Sequence, residues 1–350
     1  MSARPIEAQP TEAILEQVST REEATRFDTD GLSSEHRTLI ESCGLLDRSQ
    51  RGKLALAGPG AVEFLNGQVT NELTTLRPGE GCYAAFLTHK GKMLGDLRIL
   101  VVGEDPSAAP SELLLDTERP ALQRLFDMIR HFKVGYDVEL HKRTLERGLL
   151  SLIGPDAARV AAAADLAHDE HANARILVGG IDALAVRSDV GIDLICEAAV
   201  TERLAAELEA RGAIAVGEQA AECLRIELGR PRYGVDLDDT VIPQEAGLNE
   251  RAVSFAKGCY VGQETVARLY YRGKPNRHLR GVVFSEPAVA GQELRLGERT
   301  VGRLTSTARS PKLGPIGLAL VRREAEPGSI VSVGEDGATA EIVELPFRDA

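Results

Sequence analysis

The sequence predicts an α+β protein that ends in a small, separate all-β unit. Two patterns carry that expectation. Over residues 35–228, segments with apolar residues at helical spacing alternate with short strand-like runs, whereas beyond Asn276 only short apolar runs remain, punctuated by Gly and Pro. Length adds a third observation: 350 residues exceed the ~100–200 of one domain, so two or three packed units are expected.

Taken in order, Leu39, Ile40, Cys43 and Leu46 recur at helical spacing and predict a helix over residues 35–47. Residues 53–57, framed by Gly52 and Gly58, read as a strand, and a helix follows from Pro59 that buries Val62, Phe64, Leu65 and Val69. Residues 82–102 form a hairpin about His89-Lys90-Gly91-Lys92, since Gly91 takes a positive φ at little steric cost. Leu113 to Leu115 is a buried strand, and Leu122, Leu125, Phe126 and Ile129 stripe a helix that starts near Pro120. Strands over residues 138–140, 149–153, 183–186 and 192–196 then alternate with the Ala-rich segment 156–165 and with helices over 201–211 and 219–228. Six apolar runs follow, at residues 281–284, 293–296, 301–305, 316–321, 330–333 and 340–343, which is the pattern of a small barrel or sandwich. The firmest boundary lies near residues 272–280, and residues 1–35 are expected to be a mobile arm with one short helix.

Composition narrows the function classes. A net charge of −12 argues against a surface built mainly to neutralise phosphate backbones, so no direct nucleic-acid partner is expected. No apolar run approaches the ~18 residues that span a bilayer. The N-terminus mixes Arg4, Arg21 and Arg26 with acids and has no apolar core, which is not the layout of a secretory signal. Five cysteines, Cys43, Cys82, Cys196, Cys223 and Cys259, stand at least 27 positions apart. That spacing excludes a contiguous zinc motif, disfavours a disulfide framework and fits a reducing cytoplasm.

Gly91-Lys92 is not a phosphate-binding loop, because Phe86 and Met93 stand where that motif needs Gly and Ser or Thr. Four other features offer chemistry. Cys259 lies between Gly258 and Gly262 beside Lys257, whose ammonium would favour a thiolate acting as nucleophile or metal ligand; a free cysteine is more often a small buried hydrophobe. Asp96 opens the apolar run 97–102 and either points into a cleft or pairs with Arg98 or solvent. Glu245, between Pro243 and Gly247, either accepts two parallel N–H bonds from a ring or starts a helix. Residues 268–280 interleave Arg268, Arg272, Lys274, Arg277, His278 and Arg280 with Tyr270 and Tyr271, which suits either a polyglutamate tail, phosphate or RNA, or a solvated linker.

In this order, residues 64–73, 83–96, 224–227, 233–236, 243–248 and 257–264, continued by Arg272-Gly273-Lys274, resemble the folate-binding aminomethyltransferase superfamily. The closest likeness is to its YgfZ-type branch, related to a mitochondrial iron-sulfur assembly factor, through Lys257, Gly258, Cys259, Tyr260, Gly262, Gln263 and Glu264. The resemblance implies a three-domain cloverleaf around a tetrahydrofolate channel: a discontinuous folate domain (36–52 plus 141–272), a second α+β domain (53–140) and a C-terminal β-barrel (277–350). It implies that Tyr83, Asp96, Asp193 and Glu245 hold tetrahydrofolate, in a polyglutamylated form if the basic stretch grips the tail. Asp96 and Cys259 are then the catalytic candidates. It also implies a role in assembling or repairing iron-sulfur proteins, with those proteins or their assembly factors as partners and with indirect effects on tRNA modification. Ala221 and the short Arg187-Ser188-Asp189-Val190 depart from the aminomethyltransferase pattern. Aminomethyl transfer to tetrahydrofolate and a non-enzymatic folate-binding module stand as the alternatives.

Overall fold

The structure, a computed structural model, describes residues 29–347 apart from 104, 106, 109–111 and 336. The arm expected over residues 1–35 therefore lies outside the described residues as far as residue 28, and its last residues open helix α1 (Thr29–Glu41). The chain continues through β1 (Gly44–Asp47), β2 (Gly52–Ala57), α2 (Ala61–Asn66), β3 (Gly81–Leu87), β4 (Met93–Val101), β5 (Glu112–Thr117), α3 (Arg119–Phe132) and β6 (Glu139–Lys142). It proceeds through β7 (Arg147–Ile153), α4 (Ala157–Val160), β8 (Asn173–Val178), β9 (Ile181–Arg187), β10 (Gly191–Glu197), α5 (Thr201–Ala210), β11 (Ile214–Ala215) and α6 (Glu218–Glu227). After α7 (Asn249–Ala252) and α8 (Gln263–Arg272), strands β12 (Arg277–Phe284), β13 (Glu293–Leu296), β14 (Arg299–Ser310), β15 (Gly314–Arg322), β16 (Ile330–Val333) and β17 (Ala338–Val343) complete the chain.

Three expectations need correction. The helix predicted over 35–47 stops at Glu41; Gly44 to Asp47 joins a sheet, where Leu45 and Leu46 are buried on opposite faces. The spacing of Leu39, Cys43 and Leu46 looked helical because a helix and a doubly buried strand follow each other directly. In the Ala-rich segment only Ala157–Val160 is helical, since Ala162 turns into the left-handed region at φ 57°. Strand β8 is additional and pairs with β9 across Gly179-Gly180, both at positive φ.

Two sheets form the body. One has the order β11-β1-β7-β10-β9-β8 and the other β3-β4-β5-β2-β6. Alternation along each strand divides its residues between two faces. Outward, Leu97, Ile99, Leu113 and Leu115 of the five-stranded sheet pack on Leu125 and Ile129 of α3. Leu150, Leu152, Ile192 and Leu194 of the six-stranded sheet pack on Leu204 and Leu208 of α5. Inward, Leu100 and Leu114 meet Leu149, Leu184, Val186 and Ile195, closing one end of the seam between the sheets.

The six C-terminal runs become six strands, closed into a barrel in the order β12-β15-β14-β13-β16-β17 around Val282, Leu304, Val321 and Ile342. Two buried carboxylates join barrel to body. Asp236 accepts hydroxyls from Thr305 and Ser306 at 2.6 Å each and the Arg225 guanidinium at 2.7 Å. Glu245 accepts both arms of Arg277, at 3.1 and 3.0 Å.

Candidate functional site

The inward faces that close the seam with leucines become polar further along the same strands. On β4, Asp96 and Arg98 share the face of Leu100; on β5, Asp116 shares that of Leu114. Register sets Tyr83 opposite Arg98 and Arg98 opposite Asp116, and on the facing sheet sets Asp193 opposite Ser151. Tyr83, Asp96, Arg98, Ser151 and Asp193 floor a cavity of about 460 Å³, walled by the 170–171 and 188–190 loops, α6 and residues 228–235.

A chain of ion pairs ties the two sheets beneath it. Arg51 Nε donates to Asp116 at 3.0 Å, Arg98 Nε donates to Asp116 at 2.6 Å, and Arg98 also reaches Asp193. The Ser151 hydroxyl donates to the other Asp193 oxygen at 2.6 Å. Burial alone would raise Asp116, but the two guanidiniums hold it down to about 2. Asp116 is fully buried, so this chain is a fixed strut. Both oxygens of Asp193 are committed to it.

Asp96 differs. It is 5% exposed, and the Tyr83 hydroxyl donates to its Oδ2 at 2.6 Å. Burial pushes its pKa up to about 6, although the Tyr83 bond pulls the other way. The result is a carboxyl group that exchanges a proton near neutral pH, aimed into a cavity. Burial and then the adjacent Asp96 charge keep the Tyr83 phenol protonated, and the Arg251 guanidinium lies over its ring at 5.5 Å. Arg98, expected as a possible partner of Asp96, goes instead to Asp116 and Asp193.

The other sequence candidates lie elsewhere. Glu245 is not among the residues lining the cavity; its carboxylate is occupied by Arg277 and by the Ile242 N–H at 3.0 Å, in the joint to the barrel. Lys257 does not serve Cys259. Its buried ammonium donates to the carbonyls of Asn66, Val69 and Asn71 at 2.7, 2.9 and 2.6 Å, pinning the segment after α2. Burial draws that ammonium down to about 8 against the opposite pull of Glu72. Gly262, at φ 86°, lies where a Cβ would come within 2.5 Å of the Thr88 carbonyl, so it locks the loop onto the β3–β4 turn. Gln263 donates to the Gly258 carbonyl at 3.2 Å, and Glu264 stands in the first turn of α8. Cys259 itself is exposed, on the loop before α8, outside the cavity lining.

Sequence reading missed Arg51, Asp116 and His171. A charged residue inside the apolar run Glu112–Thr117 was a usable signal for Asp116; nothing local marked Arg51 or His171. Among the described residues, His36, Cys223 and Glu227 also bring ligand-type atoms within 4.8 Å of one another, as a hydrogen-bonded cluster between α1 and α6.

Two packed sheets thus hold a polar pocket in their seam, lined by Asp96 and Tyr83, and the barrel is joined to them through buried carboxylates. Residues 7–257 match the GCVT N-terminal domain family, and residues 277–349 match the glycine cleavage T-protein C-terminal barrel domain. The chain is 30% identical over 328 residues to an aminomethyltransferase of Rubrobacter xylanophilus, covering 91% of this chain and 86% of that one. It is 28% identical to a putative chloroplast transferase of Arabidopsis thaliana, covering 87% of this chain and 71% of that one. The glycine cleavage system aminomethyltransferase T of Bartonella henselae has the same fold, with a TM-score of 0.79 at 24% identity over 91% of this chain and 90% of that one. This chain belongs to the glycine-cleavage T-protein, or aminomethyltransferase, superfamily. Among the described residues no helix is long and apolar enough to cross a membrane.

Proposed function

We propose that this chain binds tetrahydrofolate in the inter-sheet cavity, and that Asp96 exchanges a proton there at the nitrogen that carries the one-carbon unit. One observation carries the reading: a buried carboxyl group, oriented by a tyrosine hydroxyl and shifted to about 6, lies in a pocket of ligand size. The residues fit the group. About 460 Å³ accepts a fused ring, Asp96 accepts from ring N–H groups, and the Arg230, Arg232 and Arg251 side chains along the wall suit the carboxylates of a glutamate tail, single or polyglutamyl. When bound, tetrahydrofolate supplies the secondary amine that takes up or releases a one-carbon unit. Tyr83 fixes Oδ2 of Asp96 and leaves Oδ1 for the ligand, so the carboxyl group is positioned before binding.

Aminomethyl transfer, the activity in the names of the bacterial relatives, would take place in this cavity. A second reading is favoured by Cys259: an exposed thiol on a loop pinned by Lys257 and Gly262 is accessible to partners too large to enter the pocket. On that reading the chain is a YgfZ-type factor. It uses bound folate and the Cys259 thiol in assembling or repairing iron-sulfur proteins, and affects tRNA modification through cluster-containing enzymes.

Two measurements separate the readings. Purified protein given an aminomethyl-lipoyl carrier and tetrahydrofolate should form methylenetetrahydrofolate if it is a transferase, and Asp96→Asn should abolish this. In cells lacking the protein, Cys259→Ala should fail to restore cluster enzymes if the YgfZ-type reading holds; full restoration refutes the thiol's role. If Asp96→Asn binds folate and supports cluster enzymes like the wild type, the site only binds. If calorimetry detects no tetrahydrofolate binding by the wild type, the whole reading falls.

A further inference from the structure

We propose that His171 is a ligand-reading residue of this cavity, hydrogen-bonding bound tetrahydrofolate through its imidazole. The inference rests on the folate reading and adds a residue to it.

His171 lines the cavity and is 5% exposed, yet neither ring nitrogen has a hydrogen-bond partner. Buried polar side-chain atoms are nearly always paired, so two orphans on one ring are an anomaly that asks for a partner. The nearest acid does not supply it: Glu170 Oε1 stands 3.6 Å from Nε2, beyond hydrogen-bonding distance, and is drawn to Arg251 instead. The backbone is also unusual. His171 has φ 70°, in the left-handed region that only a few per cent of non-glycine residues adopt, Asn, Asp and His most often among them. It is held there by its own N–H donating to the Arg187 carbonyl at 2.9 Å and by its carbonyl accepting the Asn173 amide at 3.3 Å. Strain of this kind persists where the surroundings over-determine it, often at ligand clamps.

The charges around the ring decide which form is present. Burial first, and then the Arg98 and Arg251 guanidiniums, hold the imidazole down to about 3, so it is neutral at working pH. A neutral imidazole offers one N–H and one lone pair in diverging directions. It therefore accepts a ring N–H or donates to a ring carbonyl without adding a third positive charge beside the two arginines. Asp96 and His171 then form the acidic and the neutral poles of one site.

The test uses His171→Gly, because φ 70° suits glycine and removal of the ring leaves the backbone unstrained. Calorimetric titration with tetrahydrofolate under anaerobic conditions should show at least a tenfold weaker Kd than wild type, and imidazole added to the buffer should recover part of the loss. Independently, in wild-type protein labelled with ¹⁵N-histidine, the resonances that vanish in His171→Gly should move when tetrahydrofolate is added. Wild-type affinity within twofold in the variant, or resonances that stay in place in the wild type, overturns the inference and leaves the folate reading intact. A weakened variant that imidazole does not rescue, with unmoved wild-type resonances, makes the ring a packing element and also overturns it. No binding by the wild type removes both.

Discussion

Asp96→Asn separates what the buried carboxyl group does for chemistry from what it costs the fold. Burial carries its pKa from 3.8 to about 6. Between those values the folded protein retains a proton that the unfolded chain has released, so stability falls as pH rises through this window and stays at the lower level above it. About two pH units at 1.36 kcal/mol each is roughly 3 kcal/mol of destabilisation in the wild type at neutral pH. The side chain is only 5% exposed, so solvent screens little of this. Asparagine has no charge to bury, and its Oδ1 still accepts the Tyr83 hydroxyl. The variant should match the wild type near pH 4 and exceed it by about 1–3 kcal/mol above pH 7. Urea denaturation of both proteins at half-unit intervals from pH 4.5 to 8 reads the difference directly, since the other titrating groups are common to both. A variant less stable than the wild type at pH 7.5, or a difference that does not change with pH, refutes the argument that Asp96 is held in a desolvated, ligand-ready state.

Four further outcomes follow from the strut and the 257–264 loop. Arg98→Met leaves Asp116 and Asp193 short of a buried partner and should cost about 3–5 kcal/mol, seen as a lower urea midpoint. Gly262→Ala should cost about 1–3 kcal/mol through its positive φ and its approach to the Thr88 carbonyl, whereas Gly258→Ala, with no atom within 4 Å of the new Cβ, should stay within about 0.5 kcal/mol; thermal melts compare them. Maleimide at pH 7.5 should label Cys259 first, because Cys43, Cys196 and Cys223 are buried and burial pushes the Cys82 thiol up to about 12. Lys257→Met should leave that labelling rate unchanged while lowering stability, since the ammonium serves three carbonyls and not the thiol.

Much of the fold was legible because its information is local. The six apolar runs beyond Asn276 each became a barrel strand, and the hairpin at Gly91 formed where turn chemistry placed it, with Gly91 at φ 76°. Strand β8 was missed although Gly179-Gly180 between two runs was a hairpin signal; its half-exposed pattern hid the alternation. The site was legible in a different degree. Tyr83 and Asp96 stand near each other in sequence because one hairpin brings them together, which is why a motif over 83–96 captures both. Arg51, Asp116, Ser151 and Asp193 come from four strands or strand ends of two sheets, and only tertiary register makes them a unit.

The same distinction explains why Lys257-Gly258-Cys259 misleads when read along the chain. Adjacency suggested an ammonium that activates its neighbouring thiol. Lys257, however, has a four-carbon stem that carries its charge into the body, where it donates to three carbonyls at and just after the end of α2. Gly262 fixes the other end of the loop against the β3–β4 turn, which belongs to the same hairpin as Tyr83 and Asp96. Of the residues between these anchors Tyr260 turns inward, and Gly258 and Cys259 project into solvent. The signature thus ties an external thiol to the hairpin that builds the internal pocket, through a loop with little freedom of its own.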